Sequence, residues 1–217
     1  MNEQFYELPQ EKQLRIINAG LEVFSKNDYR HAVTDEIARK AGISKGLLFY
    51  YFHNKKSLYL YLFDYCASLI INQVMGEEPG GKAARWETVT DFFELLEMAA
   101  EAKIKVLEKT PYLADFMVRG YYSEDGIVKE DLNRATMEAV SSAFRKYFRN
   151  VDYSKFKPDV PPMEIYEMLV WMTEGYLHDR RKSNASISMK EIMEKFYVWE
   201  KWLKQIAYKE EYQKTEA

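Results

Sequence analysis

The sequence predicts an all-α protein. Apolar residues recur at helical spacing along nearly the whole chain, and the strict alternation of a half-buried strand is absent. Helix-capping residues stand at the ends of the apolar stripes, and the linkers between them are short. With 9 Gly and 6 Pro among 217 residues, the composition excludes disordered, collagen-like and low-complexity chains.

The composition also bounds where the protein works. Its one cysteine, Cys66, can form neither an internal disulfide nor a thiolate zinc site, which favours a reducing compartment. Residues 1–9 lack the pattern of a secretory signal. The longest apolar stretch, residues 58–71, is interrupted by Asp64 and Ser68 and is shorter than the roughly 20 residues that span a bilayer. We expect a cytoplasmic protein without a membrane span.

Charge is distributed unevenly along the chain. The net charge is -3, yet residues 10–58 contain nine Lys or Arg against five Asp or Glu, whereas residues 59–217 contain 22 against 27. A basic head therefore precedes an acidic body, which is the asymmetry expected when one region binds a polyanion.

Four helices are predicted in the head. The first carries Leu14, Ile17, Leu21 and Phe24 on one face and ends near Asn27, a residue that tolerates the left-handed C-cap conformation. Thr34 is the predicted N-cap of the second helix, which Gly42 ends, and Ser44 and Asn54 are the predicted N-caps of the third and fourth.

The body is predicted to contain five further helices, for about nine in total. The last has a capping box formed by Ser188 and Glu191. We place the domain boundary inside the fourth helix, giving a head of residues 1–58 and a body of residues 59–217. The five predicted body helices span residues 84–109, 111–120, 124–149, 162–182 and 189–212.

The second and third helices, joined through residues 41–44, have the form of a helix-turn-helix. In that motif a glycine permits the sharp turn, and the second helix enters the major groove of DNA. The pattern alone is weak, because many helical proteins contain two short helices around a glycine.

A longer pattern is more specific. The stretch Thr34-x-x-Ile37-Ala38-x-x-Ala41-Gly42-Ile43-Ser44-x-Gly46-x-Leu48-x-x-Tyr51-Phe52-x-Asn54-Lys55-x-x-Leu58 resembles the N-terminal signature of the TetR family of bacterial transcriptional regulators. The resemblance covers residues 10–60. It implies a three-helix DNA-binding head, a larger helical body that binds a small molecule, and a homodimer that recognises a palindromic DNA operator.

The third helix carries most of the candidate DNA contacts. Lys45, Leu47, Phe49 and Tyr50 lie on or beside the face opposite the apolar Leu48 and Phe52. Gly46 costs about 1 kcal/mol relative to Ala in a helix, which suggests that a Cβ there would obstruct the DNA, and the alternative is a neutral exposed glycine. Thr34 and Ser44 can cap their helices and also contact DNA, and the alternative is that they only cap. Tyr51 and Lys55 match family positions that contact phosphate, whereas Phe49 stands where the family usually has Tyr.

The final two helices contain candidates for a dimer interface. Apolar residues step by three and four along the last helix, and such a stripe needs a partner helix. The family resemblance implies an isologous four-helix interface with a second copy, and the alternative is that both stripes are buried within one chain. The candidates are Ile165, Leu169, Met189, Ile192, Phe196, Trp199, Leu203 and Ile206.

Aromatic residues, 15% of the chain, are frequent in the middle helices. Most single aromatics belong to a core, but the resemblance implies a ligand cavity, which we place between residues 84 and 180 and expect to take an apolar or aromatic effector. The candidate pocket residues are Phe92, Phe93, Leu96, Tyr112, Phe116, Tyr121, Met137, Phe144, Trp171, Met172 and Tyr176.

No catalytic or metal site is predicted. Residues 76–82 fit part of a phosphate-binding loop, but they follow a helix rather than a strand, and Ala83 replaces the required hydroxyl residue. The three histidines are too scattered for a metal site. We therefore expect a repressor that needs no cofactor. The alternatives are a helical-bundle enzyme and a protein-interaction module that does not bind DNA.

Overall fold

The computed structural model describes residues 2–76, 83–110, 112–183, 185 and 188–213. In these residues the chain forms ten α-helices, three single-turn 3-10 helices and no strand, which confirms the all-α prediction. The helices are α1 (Gln10–Lys26), α2 (Thr34–Ala41), α3 (Lys45–Phe52), α4 (Lys55–Met75), α5 (Ala83–Thr88), α6 (Phe92–Lys109), α7 (Leu113–Tyr121), α8 (Lys129–Tyr147), α9 (Pro162–Lys182) and α10 (Met189–Ala207).

Most predicted helix caps of the head are confirmed, and two are wrong. The Ser44 side chain accepts a hydrogen bond from the Leu47 amide, and Gly42 ends α2 with a left-handed φ of 68°. Thr34 is the first residue of α2 rather than its cap, because the backbone carbonyl of Val33 already accepts from Ile37. Asn27 is extended, and its side-chain amide instead donates to the carbonyl of Val23.

The predicted helix at residues 84–109 is divided into α5 and α6. Asp91 caps the second of these helices, because its carboxylate accepts hydrogen bonds from the backbone amides of Phe93 and Glu94 at 3.0 and 3.2 Å. This carboxylate also pairs with Lys155 at 2.8 Å. The residues of the phosphate-loop-like stretch from 77 to 82, and Pro111, lie outside the described residues.

The helices form two compact units. The first comprises Met1–Leu69 and Lys109–Ala139, and the second comprises Ile70–Glu108 and Val140–Ala217. Helices α4 and α8 contribute several residues to each unit, and α6 contributes its last residue, Lys109, to the first unit. The functional boundary after residue 58 stays a prediction.

The first unit has an aromatic core formed by α1, α4 and α7. The ring of Tyr59 lies 4.7 Å from that of Phe24 and 5.1 Å from that of Phe116. Helices α1 and α4 approach closely at Gly20, where an added Cβ would lie 2.6 Å from Leu62 Cδ1. Phe116, a predicted pocket residue, is fully buried in this core and is therefore a packing residue.

Helix α4 is 21 residues long, and its most apolar window has a mean hydropathy of 1.2, enough by length and composition for a membrane span. Its first half nevertheless packs into the first unit. Leu58, Tyr59, Leu62, Phe63 and Cys66 are buried there, as in the core helix of a globular domain.

A second aromatic core fills the second unit. The ring of Phe92 lies 4.4 Å from that of Phe148, and the ring of Phe93 lies 4.9 Å from that of Tyr208. The hydroxyl of Tyr208 accepts a hydrogen bond from the amide of Phe92 at 3.2 Å. Phe92, Phe93 and Leu96 were predicted pocket residues, but each is buried in this packed core.

The remaining pocket candidates are divided between the two units. Met137 and Trp171 are 72% and 57% exposed, so the prediction that they line an interior cavity is wrong. Half-buried candidates occur in both units: Tyr112 and Tyr121 in the first, and Phe144, Met172 and Tyr176 in the second.

The apolar stripes of α9 and α10 pack mainly within the second unit. Five residues predicted for the dimer interface are instead buried in the chain's own core, as the alternative of burial within one chain predicted. They are Ile165, Leu169, Ile192, Phe196 and Leu203. Met189 and Trp199 are half-buried, and Ile206 is exposed. The large apolar side chains that these helices leave exposed include Met168, Trp171, Val198, Trp202 and Ile206.

Candidate nucleic-acid interface

The turn between α2 and α3 is a glycine-dependent reversal. Gly42 has φ 68° and ψ 35°, and the amide of Ile43 donates to the carbonyl of Ala38 at 3.0 Å. This is the hydrogen bond of a Schellman C-cap, which a residue with a Cβ accommodates poorly. Ser44 then caps α3 through the Leu47 amide at 3.1 Å. Gly42 therefore ends α2 and Ser44 begins α3, as the sequence predicted.

Helix α3 has a buried side and an exposed edge. Leu48 and Phe52 are fully buried, together with Ile37, Ala38 and Ala41 of α2. Lys45, Gly46 and Tyr50 are exposed, whereas Leu47 and Phe49 are half-buried. An exposed edge of a short helix held rigidly by its opposite side is the geometry that places side chains in a DNA groove.

Lys45 is paired with an acid of the preceding helix. Its ammonium lies 2.7 Å from a carboxylate oxygen of Asp35, and both side chains are at least half exposed. Exposed ion pairs are worth little free energy. Phosphate or a base edge can therefore compete for Lys45.

Lys55 has a structural role at the beginning of α4. Its ammonium donates to the carbonyl of Arg30 at 3.0 Å and lies 4.9 Å from the centre of the Tyr29 ring. Desolvation by burial lowers the pKa of this lysine. The structure therefore ties Lys55 to the loop before α2, a contact that the sequence did not predict.

A tight reversal places α4 directly after α3. His53 has φ 62° and ψ −47°, and the amide of Asn54 donates to the carbonyl of Phe52 at 2.7 Å, forming a γ-turn. Asn54 then accepts from the amide of Ser57 at 2.8 Å, which confirms it as the predicted cap. A non-glycine residue in this conformation costs about 1–3 kcal/mol.

Two of the predicted contact residues are less accessible than their neighbours. Tyr51 is only 5% exposed, and its ring lies 5.9 Å from that of Phe5, so most of its surface serves packing. Thr34 is half-buried. Contacts of these residues with DNA stay predictions.

The cations of the head differ in how they are paired. Lys40 binds Glu22 at 2.9 Å, and Lys56 binds Asp131 at 2.6 Å. Arg39, exposed in the last turn of α2, has no ion pair with any other residue that the structure describes. Sequence reasoning counted Arg39 only as part of the basic head. Its position one turn before Gly42, next to the predicted turn, would have identified it as a further candidate for DNA contact.

Sequence reasoning also missed the segment before α1. Residues 2–8, which we call the N-terminal strap, pack against α3. The amide of Asn2 donates to the carbonyl of Tyr51 at 2.8 Å, Phe5 is buried, and Gln4 accepts a hydrogen bond from the Tyr50 hydroxyl. These contacts depend on the tertiary fold, and the sequence signal for them was the apolar residue at position 5, Phe5.

The described residues contain no group of three His, Cys, Asp or Glu side chains that could hold a metal ion. The interface consists of exposed cations, hydroxyls and amides with apolar side chains beneath them. Such a surface can bind phosphates and base edges.

Known protein sequences resemble this chain in the region that contains this interface. Residues 16–62 match the sequence model of the bacterial regulatory proteins of the tetR family. Over 52 residues the chain is 36% identical to the fatty acid metabolism regulator protein of Bacillus subtilis, covering 24% of this chain and 27% of that protein. The match thus spans about a quarter of the length of that relative.

Solved structures resemble nearly the whole chain. The fatty acid degradation regulator FadR from Bacillus halodurans aligns with a TM-score of 0.70 at 15% identity, over 87% of this chain and 96% of that one. FadR from Bacillus subtilis in complex with stearoyl-CoA aligns with a TM-score of 0.64 at 14% identity, over 88% of this chain and 96% of that one. At such identities the likeness concerns the fold.

Proposed function

We propose that this chain is a transcriptional regulator of the TetR family, a cytoplasmic repressor that binds a palindromic operator as a homodimer. The observation that carries the proposal is the α2–turn–α3 geometry, which buries Leu48 and Phe52 and exposes Lys45, Gly46 and Tyr50 along one edge. We assign DNA binding to residues 1–58, and dimerisation and effector binding to residues 59–217.

The DNA contacts are divided by chemistry. Lys45, at the first turn of α3, reaches base edges after it releases Asp35, and Gly46 lets the DNA backbone approach. Thr34, Ser44 and Lys55 lie at helix beginnings, where backbone amides favour phosphate. The remaining candidates, Leu47, Phe49, Tyr50 and Tyr51, contribute apolar contacts through their side chains, and Tyr51 adds a hydroxyl.

The dimer interface is formed by the side chains that α9 and α10 leave exposed. The two helices are neighbours in the second unit, where the rings of Tyr176 and Trp199 lie 6.1 Å apart. Trp171 on α9 and Trp202 on α10 are 57% and 55% exposed. Two exposed stripes that include large aromatics are buried when the same helices of a second copy pack against them.

The effector is proposed to be a long-chain acyl thioester of coenzyme A. A fold relative was solved in complex with stearoyl-CoA, and half-buried apolar side chains of the second unit, Phe144, Met172 and Tyr176, suit an acyl chain. A thioester that releases DNA must bind the DNA-incompetent state better. Shifting that equilibrium from 1:99 to 99:1 needs about 5.5 kcal/mol of differential binding.

The effector signal is proposed to travel through α4 and α8, because each of these continuous helices belongs partly to both units. In the first unit, α7 and the segment around α8 are bound to the head. Arg119 donates to the carbonyl of Ser25 at 2.7 Å, Asp125 binds Arg30 at 2.8 Å, and Lys56 binds Asp131. Movement of either helix therefore pulls on the head.

The experiment is a gel shift with the DNA upstream of the protein's own gene and a shuffled duplex of equal length. We expect tighter binding to the upstream DNA, weakened by Lys45→Ala but not by Lys146→Ala, which removes an exposed lysine from the second unit. Equal binding to both duplexes would contradict the regulator and leave a protein-interaction module.

Stearoyl-CoA should release the upstream DNA, whereas stearate and coenzyme A, added separately, should not. Release by none of the three would contradict the proposed effector while leaving the DNA-binding result intact. Because the relatives are named as regulators, we propose no enzymatic activity.

A further inference from the structure

We propose that the N-terminal strap is part of the DNA-binding surface, and that the side-chain amide of Gln4 donates a hydrogen bond to a DNA phosphate beside α3. The inference rests on the proposed DNA-binding function. It adds a contact residue that lies outside the region matched by the family, residues 16–62.

The strap is anchored under the recognition helix by one aromatic side chain. Phe5 is fully buried, and its ring lies 4.9 Å from that of Phe52 and 5.4 Å from that of Tyr61. The amide of Asn2 extends the attachment to the carbonyl of Tyr51. An attachment through both a buried ring and the backbone fixes the strap relative to α3.

Residues Glu3–Phe5 form a short 3-10 helix, in which the three side chains point in different directions. With about three residues per turn, successive side chains leave the axis about 120° apart. Phe5 occupies the core and Gln4 meets Tyr50, so the acidic Glu3 leaves on the third side. The amide of Gln4 thus reaches the edge of α3 without bringing that carboxylate toward phosphate.

The contact with Tyr50 determines which atoms can bind DNA. The Tyr50 hydroxyl donates its single proton to Oε1 of Gln4. The hydroxyl then has no proton for a phosphate oxygen, which can only accept. Nε2 of Gln4 keeps two N–H groups that have no partner among the described residues, and both Gln4 and Tyr50 are exposed. The donor that α3 lacks at this point is therefore supplied by the strap.

A neutral donor has a measurable signature that a lysine does not. Contacts by cations release counterions and change the slope of log affinity against log salt, whereas a neutral amide releases none. Loss of the Gln4 amide should weaken binding by a similar factor at every salt concentration. Tyr50 acts here as a positioning residue, since it orients the amide.

The test measures fluorescence anisotropy of a labelled duplex from upstream of the protein's own gene, at several salt concentrations. We expect Gln4→Ala to lower affinity on the order of 10-fold for the two contacts of a dimer, with an unchanged salt slope and melting temperature. Gln4→Glu should lower affinity further through repulsion. The control Asn18→Ala, which removes an exposed amide from the middle of α1, should stay within twofold of wild type.

Coupling between Gln4 and Tyr50 provides a second readout. Gln4→Ala should cost less affinity in a Tyr50→Phe background than in the wild type, because the amide is no longer oriented. Wild-type affinity for Gln4→Ala, a changed salt slope, additive losses or a lowered melting temperature would each overturn the role of Gln4. If the wild-type protein does not discriminate the upstream duplex, the DNA-binding proposal fails and this inference fails with it.

Discussion

At the scale of single residues, Gly46 is a position where helix stability and the proposed DNA contact favour different residues. Among the described residues an added Cβ at this position would meet only Ser44 Oγ, at 3.9 Å, so no packing contact that the structure describes requires glycine there. Glycine in a helix nevertheless costs about 1 kcal/mol relative to alanine. The proposed DNA contact provides the reason for this cost.

Gly46→Ala should therefore change stability and binding in opposite directions. We expect the free energy of unfolding to rise by up to about 1 kcal/mol and operator affinity to fall. Thermal melts and anisotropy on the same samples measure both quantities. Unchanged affinity would show that the added methyl group does not meet DNA.

Gly20→Ala provides the contrasting case. Its Cβ would lie 2.6 Å from Leu62 Cδ1, between α1 and α4. We expect overpacking to lower stability by about 1–3 kcal/mol. A rise in melting temperature for this variant would contradict the close packing of the two helices.

Lys55 has a proposed contact with phosphate and an observed contact with the carbonyl of Arg30. Lys55→Met keeps an aliphatic side chain against Tyr29 but removes the charge. The salt slope should fall by about 0.9 per phosphate contact, hence by about 2 per dimer. An unchanged slope with a lowered melting temperature would assign Lys55 to structure alone.

At the scale of elements, α6 and α10 carry a hydrogen-bonded pair of acids, Glu97 and Glu200. Burial first, and then the charge of Glu97, raise the pKa of Glu200 from its ordinary value to about 8. Lys204 opposes this rise, and Asp91 adds to it. At neutral pH the folded protein therefore keeps a proton on this pair of acids.

The pair should make stability fall as pH rises from about 4.5 to about 8. In this window the folded state holds a proton that the unfolded state has released. The free energy of unfolding therefore decreases as pH rises. One proton corresponds to at most about 1.4 kcal/mol per pH unit. Chemical denaturation at a series of pH values measures the slope.

Glu200→Gln should flatten this dependence, because glutamine keeps a hydrogen-bonding side chain that does not titrate. The matched control is Glu194→Gln, which removes an exposed carboxyl from the same helix and should leave the slope in place. Identical slopes for the wild type and Glu200→Gln would show that Glu200 does not carry the proton.

At the scale of the whole molecule, the prediction concerns the dimer. Trp202 is 55% exposed, so Trp202→Glu leaves the core of the chain untouched while placing a charge in the proposed interface. We expect folded monomers with weak operator affinity. Sedimentation velocity and circular dichroism distinguish assembly from folding.

Two other substitutions serve as controls, one in the core and one on the surface of the first unit. Phe196→Glu places the charge at a residue only 6% exposed and should unfold the second unit. Ile127→Glu alters an apolar side chain that is 50% exposed in the first unit and should leave a dimer. A dimeric Trp202→Glu protein would move the interface away from α9 and α10.

The sequence by itself determined the helical class, the helix-turn-helix and its caps at Gly42, Ser44 and Asn54. These features depend on interactions within a few residues, such as a left-handed glycine or a side chain that accepts an amide one turn ahead. The same local reasoning failed at Asn27 and Thr34, where the backbone supplied the hydrogen bonds instead.

Only the tertiary structure decided which side of each apolar stripe is buried. Periodicity identified apolar faces on α9 and α10, but Phe196 and Leu203 lie in the chain's own core while Trp171 and Trp202 are exposed. It also decided that Phe92 and Phe116 pack in cores, and that the N-terminal strap meets α3. Helical spacing shows that a face must be covered, but the covering element is set by contacts between residues far apart in the chain.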